Sequence, residues 1–194
     1  MIFALFVLVL FADFILFFGV VFSIFFPDHR IWPPPKKDSW QFWVSWIFSV
    51  LRIIGSPLVG IFDFGSLGNG NMFRFFMGGP LIVIGLFIAF WGMVTLSTHQ
   101  SLGLKGKLVT KGPYRYSRNP QYVGAILFYV GFILVTYSLL GLVVEFIVAS
   151  VFVILPFSEE PWLRQQYGKN YVAYYWQVPR FLGFRSFKPK TFSD

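Results

Sequence analysis

The chain of 194 residues is 56% hydrophobic, 22% aromatic and 12% charged, with a mean hydropathy of +0.67 and a formal charge of +8. A soluble domain carries about 25% charged residues, so these values exclude a soluble enzyme, a disordered chain and a disulfide-stapled secreted domain. Cysteine is absent and histidine occurs twice, which leaves no thiol, iron–sulfur or Cys-ligated zinc chemistry and no His-rich site, so no metal is expected.

The apolar excess falls in blocks of the roughly 20 residues that cross a hydrocarbon core. The first, Ile2 to Phe26, lacks a basic start and ends in Phe25-Phe26-Pro27 instead of small residues. It reads as a retained span, not a secretory signal. Gln41 to Phe62 and Phe75 to Leu96 are the second and third spans. Between them, residues 63–74 are rich in Gly and Asn (Gly65, Gly68, Asn69, Gly70, Asn71) and predict a turn. No strand precedes that turn, so it is not a dinucleotide fingerprint. The run from Gln121 to Phe157 is too long for one crossing and short for two. Its most polar point, Thr136-Tyr137-Ser138, predicts a helical hairpin with a short fourth span and a fifth from Leu139 to Phe157.

All but Arg52 and Arg74 of the 16 basic residues lie in three segments: 27–40, 97–120 and the tail from 158. The positive-inside rule puts those segments in the cytoplasm and the N-terminus outside. The charge then faces anionic headgroups and not nucleic acid. The expected fold class is all-α: a polytopic membrane bundle of about five transmembrane helices with a C-terminal interfacial segment. One membrane domain spans 1–194, with three N-terminal spans in 1–96, a loop, hairpin and C-terminal segment in 97–182, and a basic tail in 183–194.

Three ionisable residues, Asp13, Arg52 and Glu145, fall inside apolar runs, where charge is expensive and usually paired. At a rise of 1.5 Å per residue they sit at similar depths, roughly 17–20 Å from the cytoplasmic ends of their spans. A compact structural ion-pair cluster is the preferred reading; a polar cavity or proton path is the alternative.

The chemistry-bearing residues gather on the cytoplasmic side. Residues 105–124 carry Gly112-Pro113, a turn signal, and Asn119-Pro120, which opens the fourth span with Asn119 as N-cap and Pro120 at the first helical position. A helix N-terminus presents free N–H groups to a carboxylate, and Tyr114, Tyr116 and Tyr122 supply rings beside it. After the fifth span comes Ser158-Glu159-Glu160-Pro161-Trp162. Ser158 is a candidate helix cap, with two acids in the first turn. Leu163, Tyr167, Tyr171 and Tyr174 share one face, and Gly168 is expected to break the helix so that the tail folds back over the core. The hairpin brings the two clusters together. A pocket of N–H donors, carboxylates and rings there suits a zwitterionic or cationic ligand.

At these residues the sequence resembles the integral-membrane methyltransferases that include isoprenylcysteine carboxyl methyltransferase and the phospholipid N-methyltransferases. Gly112-Pro113-Tyr114-Arg115-Tyr116-Ser117-Arg118-Asn119-Pro120-Gln121-Tyr122-Val123-Gly124 is similar to the family's Arg-His/Asn-Pro-x-Tyr-x-Gly segment. Glu159-Glu160-x-x-Leu163-x-x-x-Tyr167-Gly168-x-x-Tyr171-x-x-Tyr174 is similar to its C-terminal segment, and the resemblance covers about 95–182. It implies S-adenosylmethionine as cofactor, bound at the cytoplasmic face, and a lipid or hydrophobic acceptor, with membrane lipids as partners. Lys107, Leu108 and Val109 would line the cofactor, Tyr114 would contact it, and Asn119, Pro120, Gln121 and Tyr122 would hold its polar end. Glu159 would bind its charged portion, and His99 or Gln100 would add a further contact. Glu160 and Arg118 are the candidate catalytic residues, with Glu160 or water receiving the proton of an amine acceptor.

Two departures stand out. Asn119 replaces the more familiar His and cannot titrate. The acceptor-binding Arg that the carboxyl methyltransferases carry before the acidic pair is absent from Val153-Ile154-Leu155-Pro156-Phe157, which argues against a prenylcysteine carboxylate as acceptor. Two rival readings stay open. One is an NADPH-dependent membrane sterol reductase, whose related motif continues with Gly-Glu where Gly124-Ala125 stands here. The other is a non-catalytic membrane protein that retains the fold.

Overall fold

The computed structural model describes residues 1–68 and 70–190; Asn69 of the predicted turn and the last four residues of the basic tail lie outside them. The described chain is all helical. Four helices are long and apolar enough to cross a membrane: α1 (Ile2–Phe25), α2 (Trp40–Phe62), α3 (Phe73–Thr95) and α6 (Leu139–Gln177). A single turn, α4 (Thr98–Ser101), follows α3. A shorter apolar helix, α5 (Pro120–Thr136), forms the predicted short span. Phe, Ile, Leu and Val side chains stand exposed along α1, α2 and α3, as they would where the solvent is hydrocarbon.

α1, α2 and α6 pack together, α5 lies against α6, and α3 packs chiefly on α5. Small residues set the α3–α5 contact. Gly78, Gly85 and Gly92 repeat at seven-residue spacing on α3 and are the buried residues of that helix. Gly124 and Gly131 face them from α5. A Cβ on Gly85 would stand 2.5 Å from Phe128 N, and one on Gly124 would stand 2.4 Å from Ala89 N. The two backbones are therefore in direct contact, which is how helices associate where lipid removes the hydrophobic drive. On the other side, valines interdigitate: Val9, Val59 and Val144 form one buried cluster and Val20, Val151 and Leu155 another.

The predicted hairpin forms. Tyr137 takes a left-handed conformation (φ 48°) between α5 and α6, and Ser138 caps α6 by accepting from Gly141 N. The end of α2 is bonded to this turn. Asp63 Oδ2 accepts from Ser138 Oγ at 2.6 Å and from Leu140 N at 3.0 Å.

Two local expectations fail. No helix starts at Ser158; α6 runs through it, and Ser158 Oγ donates back to Leu155 O. The break comes at Gly168 (φ 53°, ψ −130°), as the sequence implied. Beyond it the last helical turns fold back, so that Tyr171, Tyr174 and Val178 bury against Leu108, Leu163 and Tyr167. The second failure concerns the intramembrane charges. Asp13, Arg52 and Glu145 are all buried, yet among the described residues no ion pair joins them within 4.0 Å. Both carboxylates and Arg52 Nε and Nη1 lack hydrogen-bond partners. Arg52 and Asp13 interact electrostatically all the same, so similar depth along separate helices gives proximity here but not a hydrogen-bonded pair.

Candidate functional site

The end of the bundle that carries the 27–40 loop, the 97–119 loop and the exit of α6 is drawn together by long-range polar contacts. Ser23, buried near the end of α1, accepts from both Ile31 N (2.8 Å) and Trp32 N (3.0 Å) and donates to Gly19 O. That fixes the backbone entering Trp32-Pro33-Pro34. The indole of Trp32 then donates to Glu159 Oε1 at 2.6 Å. The Tyr122 hydroxyl donates to the same oxygen. Glu159 Oε2 makes no hydrogen bond among the described residues. One oxygen is thus held by two rigid aromatic donors while the other stays open to a ligand.

A cavity of about 130 Å³ lies against this carboxylate. Of the residues expected from the sequence, Lys107, Leu108, Val109, Tyr114, Arg118, Asn119, Gln121, Tyr122 and Glu159 line it. Three do not. His99 is exposed and approaches Lys105 O with its Nδ1 (3.3 Å), whereas its neighbour Gln100 reaches the wall and donates to Lys107 O at 2.6 Å. Pro120 starts α5 and packs under Gly92. Glu160 points away from the cavity into an ionic cluster. Arg180 donates to both its oxygens at 2.8 Å, and Arg118 Nη1 lies 3.0 Å from Oε1. These hydrogen bonds hold the Arg180 guanidinium above its usual pKa, with burial opposing.

Asn119 sits at the N-cap position, but its side chain does not cap α5. Its Nδ2 donates to Arg180 O at 3.0 Å, beside Ser117 Oγ at 3.1 Å, and Arg118 N donates to Pro179 O. Residues 178–180 therefore strap the motif loop to the tail. The N–H groups of Tyr122 and Val123 turn back to the Asn119 carbonyl, which reduces the free donors at that helix end.

The aromatic wall is internally bonded. Tyr174 donates to Tyr114 O at 2.7 Å, Tyr167 to Gly106 O at 2.9 Å, and Gln121 Nε2 to Tyr114 Oη at 3.1 Å. Burial pushes the Tyr114 hydroxyl well above its usual pKa; the Gln121 hydrogen bond opposes this and the nearby Glu159 carboxylate adds to it. Tyr114 is therefore a neutral ring here, not a base.

Sequence reasoning missed Trp32, which shares Glu159 with Tyr122. Its signal was a Trp-Pro-Pro-Pro run in an otherwise polar loop. Trp162 also lines the cavity, as do Leu163, Tyr167, Tyr171 and Tyr174; the helical spacing of the last four had shown a face but not what the face covers.

Comparison with curated proteins and with solved structures gives no match. A family model does match: that of the phospholipid methyltransferases, over residues 73–170, from the first turn of α3 past the Gly168 break. The match takes in α3, the first motif segment, the hairpin and the second segment as far as residue 170, half of the chain, and the chain belongs to the phospholipid methyltransferase family.

Proposed function

We propose that this protein is an S-adenosylmethionine-dependent membrane methyltransferase that modifies a lipid or lipid-like acceptor at the cytoplasmic face. The observation that carries this is the Glu159 carboxylate, oriented by Trp32 and Tyr122 with one oxygen left over, at a cavity walled by Tyr114, Tyr171 and Tyr174. A carboxylate attracts an ammonium or sulfonium, and aromatic faces attract the same charge. Lys107 would face the ligand's own carboxylate. At about 130 Å³ the cavity is below the roughly 300 Å³ of a drug-sized pocket. It would enclose the charged end of the cofactor, with the remainder lying outward along Lys107, Leu108 and Val109.

Bound there, S-adenosylmethionine would supply a methyl group for transfer from its sulfonium to the acceptor's lone pair, with a neutral thioether as the leaving group. This chain's contribution is alignment. Trp32 and Tyr122 fix Glu159, Glu159 fixes the positive end, and the 178–180 strap fixes the motif loop. Glu160, tied by Arg118 and Arg180, serves as a positioning residue in this reading. A proton lost by an amine acceptor would leave by way of water or the acidic wall. The sidedness rests on the basic loops, all of which belong to the end that carries the site.

The test is calorimetry of the purified protein with S-adenosylhomocysteine and with NADPH. Binding of the former alone supports methyl transfer. Binding of the latter alone would move the chain to a reductase, and binding of neither would make it a non-catalytic relative. Glu159→Ala should weaken S-adenosylhomocysteine at least about tenfold, equivalent to one lost charge-assisted contact, with the fold retained. Undiminished affinity would remove Glu159 from the site.

A further inference from the structure

A second cavity, of about 810 Å³, opens beside the first between α1, α2 and α6 and the adjoining ends of α3 and α5. Trp32, Gln121 and Tyr122 line both. The large cavity is walled by apolar side chains with one charge among them, Arg52. Arg52 is 3% exposed, and its Nε and Nη1 have no hydrogen-bond partner. Asp13 acts on Arg52 electrostatically but accepts no hydrogen bond from it, so these buried donors are unused and call for an acceptor that enters the cavity.

Two features aim that need into the cavity. Ser45, Ser49 and Arg52 are spaced four and three along α2 and all line it, giving a polar track on one helix face. Arg52 Cζ lies 4.9 Å over the Phe152 ring, and Phe152 packs 5.6 Å from the ring of Tyr122, whose hydroxyl holds Glu159. The guanidinium is thus a single aromatic ring away from the side chains of the smaller pocket.

We infer that the large cavity is an acceptor site for an acidic amphiphile, with Arg52 pairing to its carboxylate or phosphate-ester oxygens and the apolar walls enclosing its chain. The inference rests on the methyltransferase reading for what happens at the shared mouth, but not for the binding itself. Charge complementarity selects the occupant. An anion satisfies the open donors of Arg52, whereas a neutral amphiphile leaves them unused and a cationic one is repelled. Arg52 is then the specificity-determining residue of the acceptor site.

The experiment measures binding of three probes to the full-length protein in a neutral detergent by native mass spectrometry: laurate, lysophosphatidylglycerol and dodecanol. Wild-type protein should prefer the two acidic probes. Arg52→Gln should weaken them at least about tenfold, leaving dodecanol and S-adenosylhomocysteine unchanged, and Arg52→Lys should restore part of the loss. The acidic probe that loses more identifies the carboxylate or the phosphate ester as the native group. Equal affinities of wild type and Arg52→Gln for both acidic probes would overturn the inference, as would a wild-type preference for dodecanol. Should Arg52→Gln not fold, Ser49→Phe, which fills the cavity and keeps the charge, must reduce acidic-probe binding; undiminished binding overturns it as well. Absence of S-adenosylhomocysteine binding in wild type would sink the cofactor reading while the three probe arms still decide this one.

Discussion

Two buried groupings of charge in this molecule follow opposite rules. Around Glu160 each charge is engaged. Arg180 is bidentate, Arg118 closes the ion pair, and the two guanidinium groups also lie over the rings of Phe157 and Tyr175. Around Arg52 the charges are buried but, among the described residues, form no ion pair; Asp13 and Arg52 interact only across space. The first grouping joins segments far apart in sequence: the motif loop, α6 and the tail. The second sits where valine and glycine contacts already hold the helices together. Charges that are paired tie the chain; charges left open in a packed bundle are open to something else. Glu145 is the exception, for nothing in the structure explains it.

That contrast can be broken by substitution. The largest effect is expected for Glu160→Ala, which leaves Arg118 and Arg180 facing each other without their shared anion. Removing one partner of a buried cluster costs about 3–5 kcal/mol. Because the Arg180 side chain is 27% exposed, the lower end applies, read as a fall in melting temperature in detergent. A loss no greater than that of an exposed pair would show that the strap does not depend on the cluster. Glu145→Gln should do far less, within about 1 kcal/mol of wild type and of either sign, since no partner is lost. A large destabilisation there would mean that Glu145 is coupled to the other central charges, and would weaken the case for open donors on Arg52.

The smallest effect belongs to Asp63, at the opposite end of the bundle. Desolvation raises its pKa, but hydrogen bonds from Ser138, Ser66, Leu140 and Leu139 outweigh this and hold it below the usual carboxylate value. A depressed folded-state pKa adds stability above the unfolded pKa of about 3.9, and that stability disappears as the pH falls through the folded value. Asp63→Asn should therefore melt slightly below wild type at neutral pH, by less than about 1 kcal/mol for so exposed a group. The difference should vanish in acid. A difference that persists in acid would assign the effect to packing and not to charge.

How much of this was legible without coordinates differs by residue. Glu159 and Tyr122 were identified as site residues from their motifs, and they converge because a hairpin with a short turn must return the chain to the face it left. Asn119 was placed correctly at the start of α5, but its bond to Arg180 O was out of reach, since a side chain with several possible acceptors is decided by whichever segment arrives. The seven-residue repeat of Gly78, Gly85 and Gly92 stood in the sequence and could have predicted a close helix contact, though not that α5 would be the partner.

The sequence by itself determined the order of the five apolar helices, the turn at Tyr137 and the break at Gly168. Span length, turn residues and glycine act within a few residues of themselves. The tertiary structure alone decided that Trp32 would share Glu159 with Tyr122, that Glu160 would be locked between two arginines, and that Arg52 would line a cavity without a hydrogen bond to a carboxylate. Each of these depends on how helices rotate about their own axes when they pack. Rotation is set by the sum of many small contacts, to which the spacing of residues along one helix is blind.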